Sequence, residues 1–217
     1  MIDKKSLFSI GYGLYVLIAR EGDRDNGCIV NVAQQVADQP LRIMVCVNKR
    51  NLTHDMVLRT ARFNLCPLSE EATMKPFQHF GFQSGRDVNK FADCQQELRT
   101  ENGLLYLPKF VNAVISGRVM HTVDLGSHTM FIAEVTEART LSPSPSITYA
   151  YYQQHIKPAP KSEVGGQRSS APLPPTSNLP KKWVCEVCGY VYEGDEVPDD
   201  FICPWCKHGK SDFKLME

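Results

Sequence analysis

Four cysteines near the end of the chain, Cys185, Cys188, Cys203 and Cys206, form two Cys-x-x-Cys pairs with 14 residues between them. Two such pairs in so short a segment can close a tetrahedral four-sulfur cage around one metal ion. Residues 181–217 are too few to bury a sufficient apolar core. The metal is therefore expected to be the staple that determines this fold. Ligand spacing alone leaves two metals open: zinc in a purely structural role, or iron, which in a thiolate cage exchanges one electron.

The framing residues separate the two. Cys185-Glu186-Val187-Cys188-Gly189-Tyr190-Val191-Tyr192 is followed by acidic Pro198-Asp199-Asp200-Phe201, then Cys203-Pro204-Trp205-Cys206, then Lys210-Ser211-Asp212-Phe213. This pattern resembles rubredoxin, and the resemblance implies one iron held by the four cysteines beside aromatic side chains. The stretch between the pairs is shorter than in free-standing rubredoxins and closer to rubredoxin domains fused to other proteins. Phe201 stands where tryptophan is common, and Lys207 where the second knuckle usually has glycine. A lysine there calls for a positive φ, which is costly without glycine. It also sets a cation beside the metal, which raises the potential.

The chain that carries this segment has 217 residues, enough for one medium domain and a small one. Its 24 basic and 24 acidic residues balance, which gives no global pull toward nucleic acid or a membrane. Residues 1–156 carry 16 Lys/Arg against 15 Asp/Glu, whereas residues 181–217 carry 5 Lys against 8 acids. An acidic tail of this kind is steered toward a basic docking surface, and salt weakens the steering. No secretory or membrane segment is visible, since residues 14–19 are far too short an apolar run to cross a bilayer. The other cysteines, Cys28, Cys46, Cys66 and Cys94, are scattered and show no disulfide framework, which suits a reducing cytoplasm. Residues 157–180 hold six prolines and two glycines and read as a linker with a reach of roughly 25–30 Å.

Residues 12–20, 27–32, 41–48, 62–67, 111–121 and 127–138 are rich in β-branched and aromatic residues with partial alternation, and predict strands. Turn signals fall at Asp25-Asn26-Gly27, Gly103 and Asp124-Leu125-Gly126. Helices are predicted at 52–60, 71–80 and 147–155. This mix predicts a mainly β fold, a β-barrel with peripheral helices, followed by the small metal domain. A Gly-x-Gly-x-x-Gly fingerprint is missing, which argues against a Rossmann unit.

Four spaced segments carry a second resemblance. They are 26–35, 48–54, 80–91 and Gly126-Ser127-His128-Thr129-Met130-Phe131-Ile132. Together they look like the flavin reductase-like FMN-binding split barrels over about residues 1–156. That resemblance implies a homodimer with FMN in a groove near the subunit contact. FMN needs phosphate donors, hydrogen bonds along the isoalloxazine edge and an apolar face for the ring. Asn48, Lys49 and Thr53 offer amide, cationic and hydroxyl donors at a helix opening that itself favours an anion. Asn51 or Thr53 serving only as a helix cap is the plainer reading, and the two are compatible. The resemblance aligns Asn31, Val32, Gln34 and Gln35 with the isoalloxazine edge. Ser84, Gly85, Arg86 and Asp87 form a polar turn that can present amides to a ligand, with Lys90 close behind. A histidine such as His128 is more often a surface or satisfied core residue. By resemblance it lies where nicotinamide stacks, although Ser127 replaces the aspartate expected before it.

A flavin accepts two electrons as hydride from NADH or NADPH, whereas one rubredoxin-type iron accepts only one. The two halves together resemble the high-molecular-weight rubredoxins, a flavin reductase domain fused to rubredoxin. That implies electron transfer from NAD(P)H through FMN to iron, then to an acceptor oxidoreductase such as a flavo-diiron reductase of nitric oxide or dioxygen. A separate NADH-dependent reductase is an alternative electron source. A flavin reductase using dissociable FMN with a structural zinc tail, and a zinc-containing binding module, are the other readings.

Overall fold

The computed structural model describes residues 4–92, 98–157, 181–185, 190–203 and 209–215. Cys94, Cys188, Cys206, Lys207 and the proposed linker beyond residue 157 lie outside the described residues. The chain divides into two compact units, Met1–Lys157 and Pro158–Glu217.

The first unit is a seven-stranded antiparallel sheet. Its strands are β1 (Tyr15–Glu21), β2 (Arg24–Val30), β3 (Ala33–Asp38), β4 (Leu41–Asn48), β5 (Arg62–Pro67), β6 (Ala113–Asp124) and β7 (His128–Thr140). They run in the order β2-β1-β5-β6-β7-β4-β3. Just past β2 the Cys46 amide on β4 donates to the Val32 carbonyl at 3.0 Å, which draws distant parts of the sheet together. Irregular pairing at Gln35/Ala37, Ser116/Gly117 and Val119/His121 adds the local twist that such curling needs. Gly117 lies under the Phe63 ring, where a Cβ would meet the aromatic carbons at 2.6 Å.

Helix α1 (Leu52–Thr60) fills the curled sheet. It ends at Ala61, which takes a left-handed φ of 55° and returns its amide to the Val57 carbonyl. Met56 and Val57 pack with Leu17, Ala19, Cys28, Val45, Val47, Phe63 and Phe131 in one buried cluster. The alternate residues of β1 and β5, Val16, Ile18 and Cys66, face a second cluster with Phe77, Phe80, Leu105 and Tyr152. Two short helices cover that outer cluster. They are α2 (Met74–Pro76, continuing as a π-helical turn Phe77–Gly81) and α3 (Tyr149–Tyr151, continuing as Tyr152–Ile156). Thr73 and Thr148 cap them, each accepting a bond from a first-turn amide.

All six predicted strands and three helical regions are present, with differences that have physical causes. Strand β3 was not anticipated, because Ala33-Gln34-Gln35-Val36 has no apolar alternation and lies exposed at a sheet edge. Asp25-Asn26-Gly27 is not a turn but part of β2. The reversal falls instead after β1 at Gly22, whose φ is +56°. The turns at Gly103 and Gly126 do carry positive φ.

The second unit holds a three-stranded sheet of β8 (Lys182–Cys185), β9 (Val191–Glu193) and β10 (Phe213–Leu215), in the order β10-β8-β9. Phe201 makes edge contacts with Tyr192 and Phe213, and the Trp183 indole donates to the Gly194 carbonyl at 3.1 Å. Cys185, Cys203 and Val197 are fully buried beside them.

Asn64 on β5 locks the 100–105 loop against the barrel. Its fully buried amide donates to Thr100 Oγ1 (2.7 Å) and to the carbonyls of Leu104 (3.1 Å) and Leu105 (3.0 Å). Its oxygen accepts from Asn102 (2.9 Å) and Ser116 (2.8 Å). Asn64→Ala would orphan several of these groups at once, so a loss of about 3 kcal/mol is expected in urea unfolding. A loss within the error of the method would contradict that role.

Candidate functional site

The N-terminus of α1 gathers most of the residues singled out above. Asn51 is its extended N-cap, but the Asn51 side chain makes no cap hydrogen bond. Capping therefore does not use the amide that the plainer reading assigned to it. Asn48 and His128 are cross-strand partners on β4 and β7, and the Lys49 amide donates to the Ser127 carbonyl at 3.1 Å. The Asn48 side-chain oxygen accepts from the Arg50 amide at 2.9 Å. His128 Nδ1 lies 2.9 Å from the Ser127 hydroxyl, so serine does hold the imidazole from its exposed side.

The turn at 84–87 closes the other side. Ser84 Oγ accepts from the Arg86 amide, and the Ser84 carbonyl accepts from the amides of Asp87 and Val88. Arg24 donates to the Gly85 carbonyl. A Cβ at Gly85 would meet the Asn26 amide at 2.1 Å, so this position requires glycine. Asn26 then donates to Thr53 Oγ1 at 2.9 Å, tying the turn to the helix. Asn31 and Val32 follow β2, and Gln34 and Gln35 pair with Met44 and Ile43 on β4. The structure thus joins the helix end to the 84–87 turn, whereas Gln34 and Gln35 lie beside Met44 and Ile43, toward the other end of β4 from Asn48.

Two of the residues turn inward. Thr53 is fully buried, so its hydroxyl serves Asn26, and only its backbone faces the helix end. Lys90 is 4 % exposed and its ammonium donates to the carbonyls of Gly27 (2.9 Å) and Phe80 (3.0 Å). Burial pushes its pKa down to about 8, partly offset by the nearby Cys28. Lys90 therefore buttresses the cradle from beneath.

The surface cations arrive already paired. Lys49 Nζ bonds Asp124 at 2.7 Å, and Arg86 bonds Asp55 at 2.6 Å while half its side chain stays exposed. Asn26, His54, Asp55 and Thr129 were not singled out, because the bonds Asn26–Thr53, Arg86–Asp55 and His54–Thr129 join residues 27, 31 and 75 positions apart. A cleft of about 480 Å³ lies elsewhere, lined by Lys75, Phe80, Leu107, Lys109 and Phe110 among others. It contains none of the residues of the cradle.

In the second unit Cys185 and Cys203, the leading members of the two pairs, are buried and carry no disulfide. Buried thiols suit a thiolate-held metal, and the other two cysteines of the pairs, Cys188 and Cys206, lie outside the described residues. Among the described residues no group of three or more His, Cys, Asp or Glu gathers as a metal site.

Residues 7–160 match the flavin reductase like domain family, and residues 183–214 match the rubrerythrin, rubredoxin-like domain. The chain therefore belongs to the flavin reductase-like family, with a rubredoxin-like domain at its C-terminal end. It is 35% identical to the high molecular weight rubredoxin of Moorella thermoacetica, over 99% of this chain and 100% of that protein. It is 32% identical to a ferric-chelate reductase (NAD(P)H) of Archaeoglobus fulgidus, over 70% of this chain and 89% of that one. Among solved structures, flavoredoxin from Methanosarcina acetivorans superposes with a TM-score of 0.56 at 19% identity, covering 64% of this chain and 73% of its own. Flavin and iron are the cofactors this pair of domains carries, and flavin-dependent electron transfer is its activity.

The His54 hydrogen bond, followed by the Arg86 guanidinium, holds the Asp55 carboxyl below its ordinary 3.8. Stability from this group is therefore present above pH 3.8 and lost as the pH falls through the lower folded value. Asp55→Asn is expected to destabilise the barrel at neutral pH by about 1 kcal/mol. That deficit should close on acidification, as followed by thermal melts across pH. A deficit independent of pH would contradict the assignment.

Proposed function

We propose that the chain is an NAD(P)H-dependent electron-transfer protein that delivers electrons through FMN and a four-cysteine iron site to an acceptor oxidoreductase. The observation that carries this reading is the covalent union of an anion-suited flavin cradle with a rubredoxin-like cysteine site. FMN supplies two-electron acceptance with single-electron release, and iron a one-electron step.

The chain's own residues account for binding. A single phosphate is matched by the backbone of α1's first turn, with Lys49, Asn48 and the Ser84-Gly85-Arg86-Asp87 turn around it. This favours FMN over a larger flavin. Asn31, Val32, Gln34 and Gln35 border the isoalloxazine edge, and His128, oriented by Ser127, contacts nicotinamide. The dehydrogenase step uses either NADH or NADPH.

A homodimer fits the outer face of β4 and β7. Met44, Cys46, Met130 and Ile132 form cross-strand pairs there and remain only partly buried in one chain. Val36, Met120 and Val123 add exposed apolar surface on the neighbouring strands. Sedimentation equilibrium of the full chain is expected to give twice the chain mass; a monomer would remove this element.

The acidic residues Glu196, Asp199 and Asp200 beside exposed Ile202 suit a basic, partly apolar acceptor surface. A flavo-diiron reductase of nitric oxide or dioxygen is the acceptor we assign. Free thiols at Cys28, Cys46 and Cys66 suit a reducing cytoplasm. No helix among the described residues is long and apolar enough to cross a membrane.

The test is an anaerobic absorbance titration of the metal-analysed protein with NADH and then NADPH. Bleaching of both flavin and ferric-thiolate bands without added reductase is expected, and the effective nucleotide names the donor. Both bands present but unresponsive would mean that a separate reductase supplies the electrons. Zinc in place of iron would reduce the chain to a flavin reductase with a structural tail.

A further inference from the structure

A chain of hydrogen bonds, exposed at Arg86 and buried at its His54–Thr129 end, runs along the cradle. Arg86 donates to Asp55 Oδ2 at 2.6 Å, and Asp55 Oδ1 lies 2.9 Å from His54 Nδ1. His54 Nε2 then lies 2.9 Å from Thr129 Oγ1. His54 is 5 % exposed, Thr129 is buried, and the Phe131 ring closes the imidazole from one edge at 5.7 Å between centroids.

We propose that Arg86, Asp55, His54 and Thr129 form a relay that fixes His54 as the Nδ1–H tautomer and couples the turn at 84–87 to the His128 end of β7. The inference rests on reading the cradle above as a flavin site. Its chemistry follows from the donors available. An ionised carboxylate only accepts, so Asp55 obliges Nδ1 to carry the proton. In the neutral ring Nε2 must then accept, and the Thr129 hydroxyl donates to it. Free histidine prefers the opposite tautomer, so the arrangement is imposed by the protein.

The two ends of the relay give it a function. Arg86 is half exposed and has donors left over once Asp55 is bound, so the carboxylate aims the guanidinium without consuming it. Thr129 pairs with Val47 and Asp124 and directly follows His128, whose own partner is Asn48. The other charges near His54 are Lys49 and Asp124, which bond each other at 2.7 Å across the top of the same helix end. His54 thus touches the phosphate side through one nitrogen and the nicotinamide side through the other. It is a positioning residue.

Nitrogen-15 spectra of the full chain, with labelled histidine and no nucleotide, read the relay directly. His54 is expected to report Nδ1–H; an Nε2–H ring overturns the proposal whether or not flavin binds. In flavin-loaded protein the two arms separate. Thr129→Val and His54→Asn keep the Asp55 side. They are expected to leave flavin Kd nearly unchanged while slowing pyridine-nucleotide bleaching about tenfold, the scale of one lost hydrogen bond. His54→Gln reaches Thr129 but abandons Asp55, and is expected to weaken flavin binding about tenfold with the smaller effect on rate. Parallel losses of affinity and rate that track the melting temperature in all three variants would reduce the relay to packing and overturn it. A parent protein that binds no flavin defeats the flavin reading instead, and the tautomer then decides the relay alone.

Discussion

Burial of β1 on both faces is the constraint from which the barrel follows. Leu17 and Ala19 enter the interior cluster while Val16 and Ile18 enter the outer one, and none of the four is accessible. Burying each large side chain contributes about 1.5–3 kcal/mol, so neither face can be surrendered to solvent. A one-residue slip would exchange the two sets and lose both. The interior face must then be filled, and α1 fills it with Met56 and Val57. Once those two residues are fixed, the helix has one permitted rotation. That rotation points its first turn toward Asn48, Lys49 and the 84–87 turn, so the anion-suited end is a consequence of core packing.

Charge in the cradle is arranged with the same economy. Lys49 and Arg86 each hold a carboxylate, Asp124 and Asp55. Those pairs are exposed enough to be weak in stability terms. Their value lies in orientation, because a cation restrained by a carboxylate loses less freedom when an anion arrives. Lys90 works differently. Its buried ammonium satisfies the carbonyls of Gly27 on β2 and Phe80 in the π-helical turn, at the desolvation cost that lowers its pKa.

The features most legible in the sequence were those that repeat locally. The helix at 52–60 and the strands at 41–48 and 62–67 coincide with the observed elements because periodicity and caps mark them directly. The spacing of the cysteine pairs marked a four-sulfur site, and the framing residues pointed to iron over zinc. Strand β3 could not be read, since an exposed edge strand is specified by its neighbour's hydrogen bonds and not by its own apolar pattern. Asp25-Asn26-Gly27 misled for the opposite reason. Its composition favours a turn, yet Asn26 and Asp25 are needed as buried partners for Thr53 and Arg99 inside a strand. The lysine at 90 and the threonine at 53 matched a ligand-binding pattern whose side chains proved to be structural. No local pattern distinguishes a donor aimed at a ligand from one aimed at a carbonyl.

The two units meet different limits, and this bears on how they can evolve together. The barrel is stabilised by two cores and tolerates a polar functional surface. The second unit has strands of three or four residues and a cluster built on Phe201, Phe213 and Tyr192. Such strands are too short to stand alone, so the free energy of metal binding is also the free energy of folding. A substitution near Cys185 or Cys203 therefore alters stability and potential together, whereas one in the cradle can alter affinity alone. Redox tuning without loss of fold must then come from residues outside the cage. The ion pairs of Lys210 with Glu196 and Asp199 are one such place, because they set the charge around the unit.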